Sequence, residues 1–333
     1  MTSFIDKVRD NINKHDLLSR GGRVLVAVSG GADSLALLYV LNELRHDFGF
    51  SLVIAHYNHA LRSSAIRDQK FVKQVAQKLN IPFVTETNQK KPPQKGSLEE
   101  FARDIRYEFL LKTACSMKAD TIAVAHTQDD LAETVLMRIL RGTGLSGLRS
   151  MAFKRVVEGR VYIRPLLNIP RCEIESFLKK RRLSCIQDPT NRSIKFTRNK
   201  IRLRLIPYMK KEFSPDINTR LVSLANIACI DHDFIEEAGR LAWPRLVKIE
   251  KEEVVIKSSG FKTLHPALRR VLLRMAIGVL KGVERSWDFR HIDMIDTFVA
   301  SRSFGKLSLP QGFVLNKAKG SKSFLIKNYE YHS

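Results

Sequence analysis

Six residues, Ser29-Gly30-Gly31-Ala32-Asp33-Ser34, lie between the apolar runs Val24–Val28 and Leu35–Leu41, and their types suit them to hold a phosphate. Gly30 and Gly31 let the main chain take positive φ and approach an anion closely. The amides that open the following helix lack intrahelical partners and carry the positive end of the helix dipole. Ser29 and Ser34 add hydroxyl donors. A carboxylate at Asp33 would repel phosphate unless a divalent cation stood between them, so the loop predicts a nucleotide bound together with Mg2+. No lysine is present, unlike the G-x-x-x-x-G-K-S/T loop, which argues against an ordinary γ-phosphate hydrolase or kinase. The plain alternative is a glycine-rich strand-to-helix turn without a ligand.

A second set follows at His126-Thr127-Gln128-Asp129-Asp130-Leu131-Ala132-Glu133. Asp130 and Glu133 fall on one helix face near its N-terminal end, and with Asp129 and His126 they predict a site for a cationic group or a metal. Helix capping would account for one of the aspartates without any ligand. Arg103 and Arg106 also share a face. Either is ordinarily a solvated or ion-paired helix residue, but one that reached the crevice would neutralise charge developing on a phosphorus group. Farther on, a turn at Asp188-Pro189-Thr190-Asn191 precedes the basic run Lys195 to Arg204. Arg198 and Arg202 share one helix flank and Lys200 and Arg204 the next, with no acidic i,i+4 partners in the run; these four residues are expected to contact a phosphate backbone.

Positioning such groups requires alternating strands and helices. After an amphipathic opening helix, strands are predicted at Val24–Ser29, Leu52–Asn58, Phe83–Thr87 and Thr121–His126. Helices are predicted near Leu35–Leu44, Asp68–Leu79, Leu98–Met117 and Asp130–Arg141. Near-continuous apolar strands with crossover helices imply an α/β fold with a parallel, doubly wound sheet covered on both faces. Ligands bind beyond the carboxyl ends of such strands, so the loops after Val28 and Ala125 should share one crevice. The prolines in Lys90–Ser97 predict a surface loop, with Ser97 capping the next helix through Glu100. Helices are further expected at Arg171–Arg182, Arg198–Lys211, Ile217–Ala242 and Pro266–Leu280, with strands at Val254–Lys257 and within Lys306–Lys327. The expected organisation is a nucleotide-binding catalytic domain over 1–213, a helical linker over 214–246 and a smaller α+β domain over 247–333.

The 333-residue chain carries 57 Lys and Arg against 34 Asp and Glu, a net charge of +23. That excess predicts a polyanionic partner, nucleic acid ahead of an anionic membrane surface. With no long apolar run and no leader pattern, the expected compartment is the cytoplasm. Cys115, Cys172, Cys185 and Cys229 lie far apart without a C-x-x-C pair, as expected of reduced structural thiols.

The loop Ser29–Ser34 resembles the pyrophosphate-binding loop of the N-type ATP pyrophosphatases, the PP-loop superfamily with its adenine nucleotide alpha hydrolase-like fold. More narrowly, the chain is similar to the tRNA(Ile)-lysidine synthetase family. The supporting segments are Ala55–Arg62, His126–Arg138, Arg141–Gly147, Arg164–Leu167, Asp188–Arg202, His265–Arg270 and Leu309–Gly312. Ala60 stands where that family usually has glycine. The resemblance implies a ligase that uses ATP to adenylate the wobble cytidine of an isoleucine tRNA with a CAU anticodon. Free L-lysine then attacks the base, giving lysidine, AMP and pyrophosphate. It further implies that Ser29, Gly30, Gly31, Ala32, Asp33 and Ser34 bind ATP, that Asp33 orients Mg2+, that Asp130 and Glu133 bind lysine, and that Arg106 contacts the adenylated intermediate. The smaller domain would recognise tRNA, and a homodimer is the assembly to test. Rival readings are a PP-loop enzyme that installs sulfur on a tRNA cytidine, which leans on a cysteine pair absent here, and a basic tRNA-binding protein without catalytic activity.

Overall fold

The computed structural model describes residues 3–60, 65–91, 98–149, 151–186, 194, 196–281, 287 and 289–328. The proline-rich segment 92–97 with its Ser97 cap, the Asp188–Asn191 turn, Lys195, and Leu61 and Arg62 of the Ala55–Arg62 segment lie outside the described residues. Two compact units form, one from residues 1–140 and 150–224 and the other from 141–149 and 225–333. The division thus falls inside the helix predicted from Ile217, rather than at its ends.

In the first unit the elements run α1 (Phe4–Lys14), β1 (Arg23–Ala27), α2 (Ala32–Phe48), β2 (Ser51–Asn58), α3 (Ala65–Leu79), β3 (Phe83–Thr87), α4 (Leu98–Ser116), β4 (Thr121–Ala123) and α5 (Gln128–Leu140). After α6 (Leu145–Leu148), which belongs to the second unit, come the hairpin β5 (Lys154–Val157) and β6 (Arg160–Ile163), then α7 (Arg171–Lys180), α8 (Thr197–Lys200), a π-helical turn over Ile201–Leu205 and α9 (Ile206–Glu212). The sheet has the order β3-β2-β1-β4-β6-β5, parallel except for the edge strand β5. Alternation explains why both faces are covered. Val24, Val26, Leu52 and Ile54 pack beneath α2, whereas Leu25, Val53 and Ala55 face Phe109, Leu110 and Ala114 of α4.

Strand β1 pairs with β2 on one side and β4 on the other, so the chain leaves β1 in one direction and returns to its opposite flank at β4. This is a topological switch point, where the connections diverge and leave a crevice. The β5–β6 hairpin, with its short strands and exposed edge, is absent from the sequence expectation. Strand β4 is shorter than expected; Ala125 to Thr127 leave the ladder to approach α5. Ala60, just past β2, adopts φ 53°, a left-handed conformation in which glycine is at ease and alanine is not.

The larger part of the second unit begins within α10 (Ile217–Leu246). It continues through β7 (Val247–Glu250), β8 (Glu253–Lys257), α11 (Ser258–Thr263), α12 (Pro266–Lys281), α13 (Phe289–Ala300), β9 (Gly305–Ser308), β10 (Phe313–Lys317) and β11 (Ser323–Asn328). Its antiparallel sheet, β7-β8-β11-β10-β9, buries Ile256, Phe313, Leu315 and Phe324 with Leu272, Ile292 and Ile295 of α12 and α13. This is the smaller α+β unit anticipated from the sequence. Among the described residues no helix is long and apolar enough to cross a membrane.

Candidate active site

The loop between β1 and α2 is built as a cradle. Gly30 takes φ +90°, and a Cβ there would meet Ile186 Cδ1 at 2.5 Å; the Ile186 amide in turn donates to the Gly30 carbonyl at 2.9 Å. Gly31 caps α2 without any side-chain hydrogen bond, so no side chain of the cap occupies the amides of its first turn. Ser29 and Ser34 are tied together: Ser34 Oγ accepts from the Ser29 amide at 3.2 Å and donates to the Gly31 carbonyl at 2.9 Å, with the two hydroxyls 3.1 Å apart. The buried His56 ring holds the Val28 carbonyl at 2.8 Å and anchors the loop to β2.

Asp33 lies in the first turn of α2 with its Oδ1 buried and lacking a hydrogen-bond partner. Burial raises its carboxyl to about 6, against the pull of Arg171 and with Asp130 pushing the same way as burial. An orphaned carboxylate oxygen beside a phosphate cradle fits the donor chemistry of a hard divalent cation.

Across the switch point, Thr127 and Asp130 form the cap of α5. The Thr127 amide and hydroxyl both donate to Asp130 Oδ2 at 3.0 Å. The capping reading therefore holds for one oxygen of Asp130, and the other remains for a cation. Arg198 Nη2 donates to Asp130 Oδ1 at 2.8 Å. Glu133, 1% exposed, accepts from Arg198 Nε at 2.8 Å and from Arg202 Nε and Nη2 at 2.5 and 2.9 Å. Burial alone would raise the Asp130 carboxyl, but Arg198, with the Thr127 amide, holds it below the usual range.

These contacts divide the basic run. Arg198 and Arg202 find acidic partners on α5, far away in sequence, whereas the side chains of Lys200 and Arg204 are exposed. Asp129 also departs from the acidic cluster. Its Oδ2 accepts from the Arg171 amide at 2.8 Å, capping α7, and its Oδ1 accepts from Asn218 Nδ2 at 2.9 Å.

Arg106, half-buried on α4, feels both Asp130 and Arg198, and burial lowers its affinity for its proton. His126 is pushed down to about 3, first by burial and then, against Asp130, by Arg164 and Arg106. His59 is lowered to about 4 by burial and Arg106. The Nδ1 atoms of both rings are buried without partners. Thus the crevice holds neutral imidazoles, an anion cradle and a carboxylate pair. Sequence reasoning missed Ile186, Arg171 and Asn218, none of which carries a local signal. Cys115 and Cys172 are exposed, Cys185 and Cys229 are half-buried, and all four are free thiols.

Residues 2–209 match a PP-loop domain family. The tRNA(Ile)-lysidine synthase of Clostridioides difficile is 37% identical over 96% of this chain and 70% of its own length. That of Geobacter sulfurreducens is 39% identical over 97% and 69%. In fold, the chain is similar to the U34-tRNA thiolase NcsA from Methanococcus maripaludis, with a TM-score of 0.58 and 20% identity over 67% of this chain and 77% of that one. The parallel sheet, the loop at its switch point and these relatives together establish that the chain belongs to the PP-loop ATP-binding family and, within it, to the tRNA(Ile)-lysidine synthases.

Proposed function

We propose that the protein ligates free L-lysine to C2 of the wobble cytidine of a CAU-anticodon isoleucine tRNA. In the first step the base oxygen O2 attacks the α-phosphorus of ATP and pyrophosphate leaves. The amides of Gly30, Gly31 and Ala32, with the hydroxyls of Ser29 and Ser34, would receive the leaving phosphates. Asp33 would hold Mg2+, which when bound neutralises phosphate charge. Arg106 would face the adenylated base. In the second step the lysine ε-amine attacks C2 and AMP leaves. Asp130 and Glu133 would bind the incoming ammonium and assist its deprotonation.

The observation that carries this reading is the acidic pair on α5 lying across the β1–β4 switch point from the cradle, with Asp33 sensing Asp130. Because Arg198 and Arg202 already bond Glu133 and Asp130, lysine binding requires the arginines to yield some of these bonds. The guanidinium groups so released would be available to phosphate, which keeps Arg198 and Arg202 beside Lys200 and Arg204 as tRNA contacts in the engaged enzyme. The unit holding residues 247–333 is assigned to tRNA recognition, the cytoplasm is the compartment, and a homodimer is the assembly to be read by sedimentation.

The test is direct. Purified protein, ATP, labelled lysine and an unmodified CAU-anticodon transcript should give label at the wobble nucleotide after nuclease digestion. Label elsewhere, or no lysine-dependent AMP release, would refute the assignment.

A further inference from the structure

One flank of the helical run that supplies Arg198 and Arg202 takes no part in the carboxylate cluster. Lys200, Ile201, Arg204, Leu205 and Tyr208 follow one another at helical spacing, and together with Leu140 at the end of α5 they line a groove of 530 Å³. A volume in this range suits a small planar ligand. The floor is apolar, Lys200 and Arg204 at its edge are exposed, and Tyr208 is 57% exposed with its ring set edge-on to that of Phe213, itself 74% exposed. The helix is interrupted along this flank by the π-helical turn Ile201–Leu205, an irregularity that recurs at functional sites.

Aromatic faces interleaved with cations are the chemistry that holds unstacked nucleobases: the base stacks on the ring and the cations meet its phosphate. The two cations at the rim call for a polyanionic occupant, and RNA alone among polyanions adds bases that can stack on the exposed tyrosine ring. Resting on the tRNA reading above, we infer that this groove binds one unstacked base of the anticodon loop and that Tyr208 is its stacking platform. The distance along α5 sets which base. From Glu133 to Leu140 the helix rises about 10 Å, so the captured base is a near neighbour of the cytidine being modified.

The experiment measures binding of a CAU anticodon stem-loop RNA, along with kcat and KM for the whole tRNA, in the parent, Tyr208→Ala, Tyr208→Phe and Lys200→Ala. Tyr208→Ala should weaken stem-loop binding about 5- to 150-fold and raise KM while sparing kcat. Its salt dependence should not change, and Tyr208→Phe should restore binding. Lys200→Ala should instead flatten the salt dependence by roughly 0.7 in log–log slope. Replacing the captured nucleotide by an abasic one should weaken the parent and have no further effect in Tyr208→Ala. Parent-like binding by Tyr208→Ala, or abasic penalties that add to it at every loop position, would overturn the inference. A change of oligomeric state in Tyr208→Ala with unaltered RNA affinity would equally overturn it, by making the groove an interface between copies. Lysine incorporation by the parent enzyme, run alongside, tests the underlying reading separately.

Discussion

The phosphate loop and the carboxylate cluster face one crevice but are built in opposite ways. The loop is made of backbone: glycines, helix amides and two short hydroxyls, arranged within six residues and with the α2 cap lacking a side-chain bond. The cluster is made of charged side chains from α5 and the 197–212 helical run, and each carboxylate is bonded by arginine. Physics accounts for the difference. Amide dipoles can be left facing a crevice at little cost, whereas a carboxylate as buried as Glu133 must be paired or it will not stay ionised. Backbone donors can therefore be preformed and open, while carboxylates this buried must be held by the protein's own cations.

Breaking the cluster should have the largest effect. Glu133→Ala leaves two guanidinium groups facing an acceptor that is gone, and should cost about 3 kcal/mol, the low end for a broken buried pair because both arginines reach solvent. Urea unfolding measures this directly. Next comes the loop: Gly30→Ala should cost about 2–3 kcal/mol by forcing a Cβ into a left-handed φ and against Ile186. Adding Ile186→Ala should recover only the steric part, leaving nucleotide binding impaired in a calorimetric titration.

Asp33 sharpens the contrast because it stabilises nothing it touches. A carboxyl raised from 3.8 to about 6 contributes stability below its ordinary value and loses it as pH climbs through the folded-state value. Asp33→Asn should thus abolish that loss and leave the unliganded protein about 1–2 kcal/mol more stable than the parent at pH 8 but not at pH 4, as read by thermal melts at the two pH values. Catalysis should fall in the same variant. Smallest is Ala60→Gly, which relieves φ 53° and should raise stability by about 0.5–1 kcal/mol without altering activity.

What could be read from sequence follows the same division. The loop was legible because its glycines, serines and aspartate are contiguous and each has a local reason to be there. The parallel strands were legible because their apolar runs serve two buried faces, as Val24, Leu25 and Val26 illustrate. Pairing of Arg198 and Arg202 with α5 was not legible, since it joins residues more than sixty positions apart whose own neighbourhoods suggest a solvated basic face. Asp129 likewise looked like part of the acidic site because nothing local says that α7 and Asn218 will take both its oxygens. The β5–β6 hairpin escaped because four-residue strands at a sheet edge carry little periodicity.

The central claim is that the two built sites serve two separable chemical steps. It is tested most directly by single-turnover reactions of Glu133→Gln and Asp33→Asn with α-labelled ATP, lysine and the CAU-anticodon tRNA. Glu133→Gln should form adenylated tRNA normally and transfer lysine about 10- to 100-fold more slowly, while Asp33→Asn should form no adenylate. Loss of adenylation in Glu133→Gln, or lysine transfer by it at the parent rate, would contradict the account.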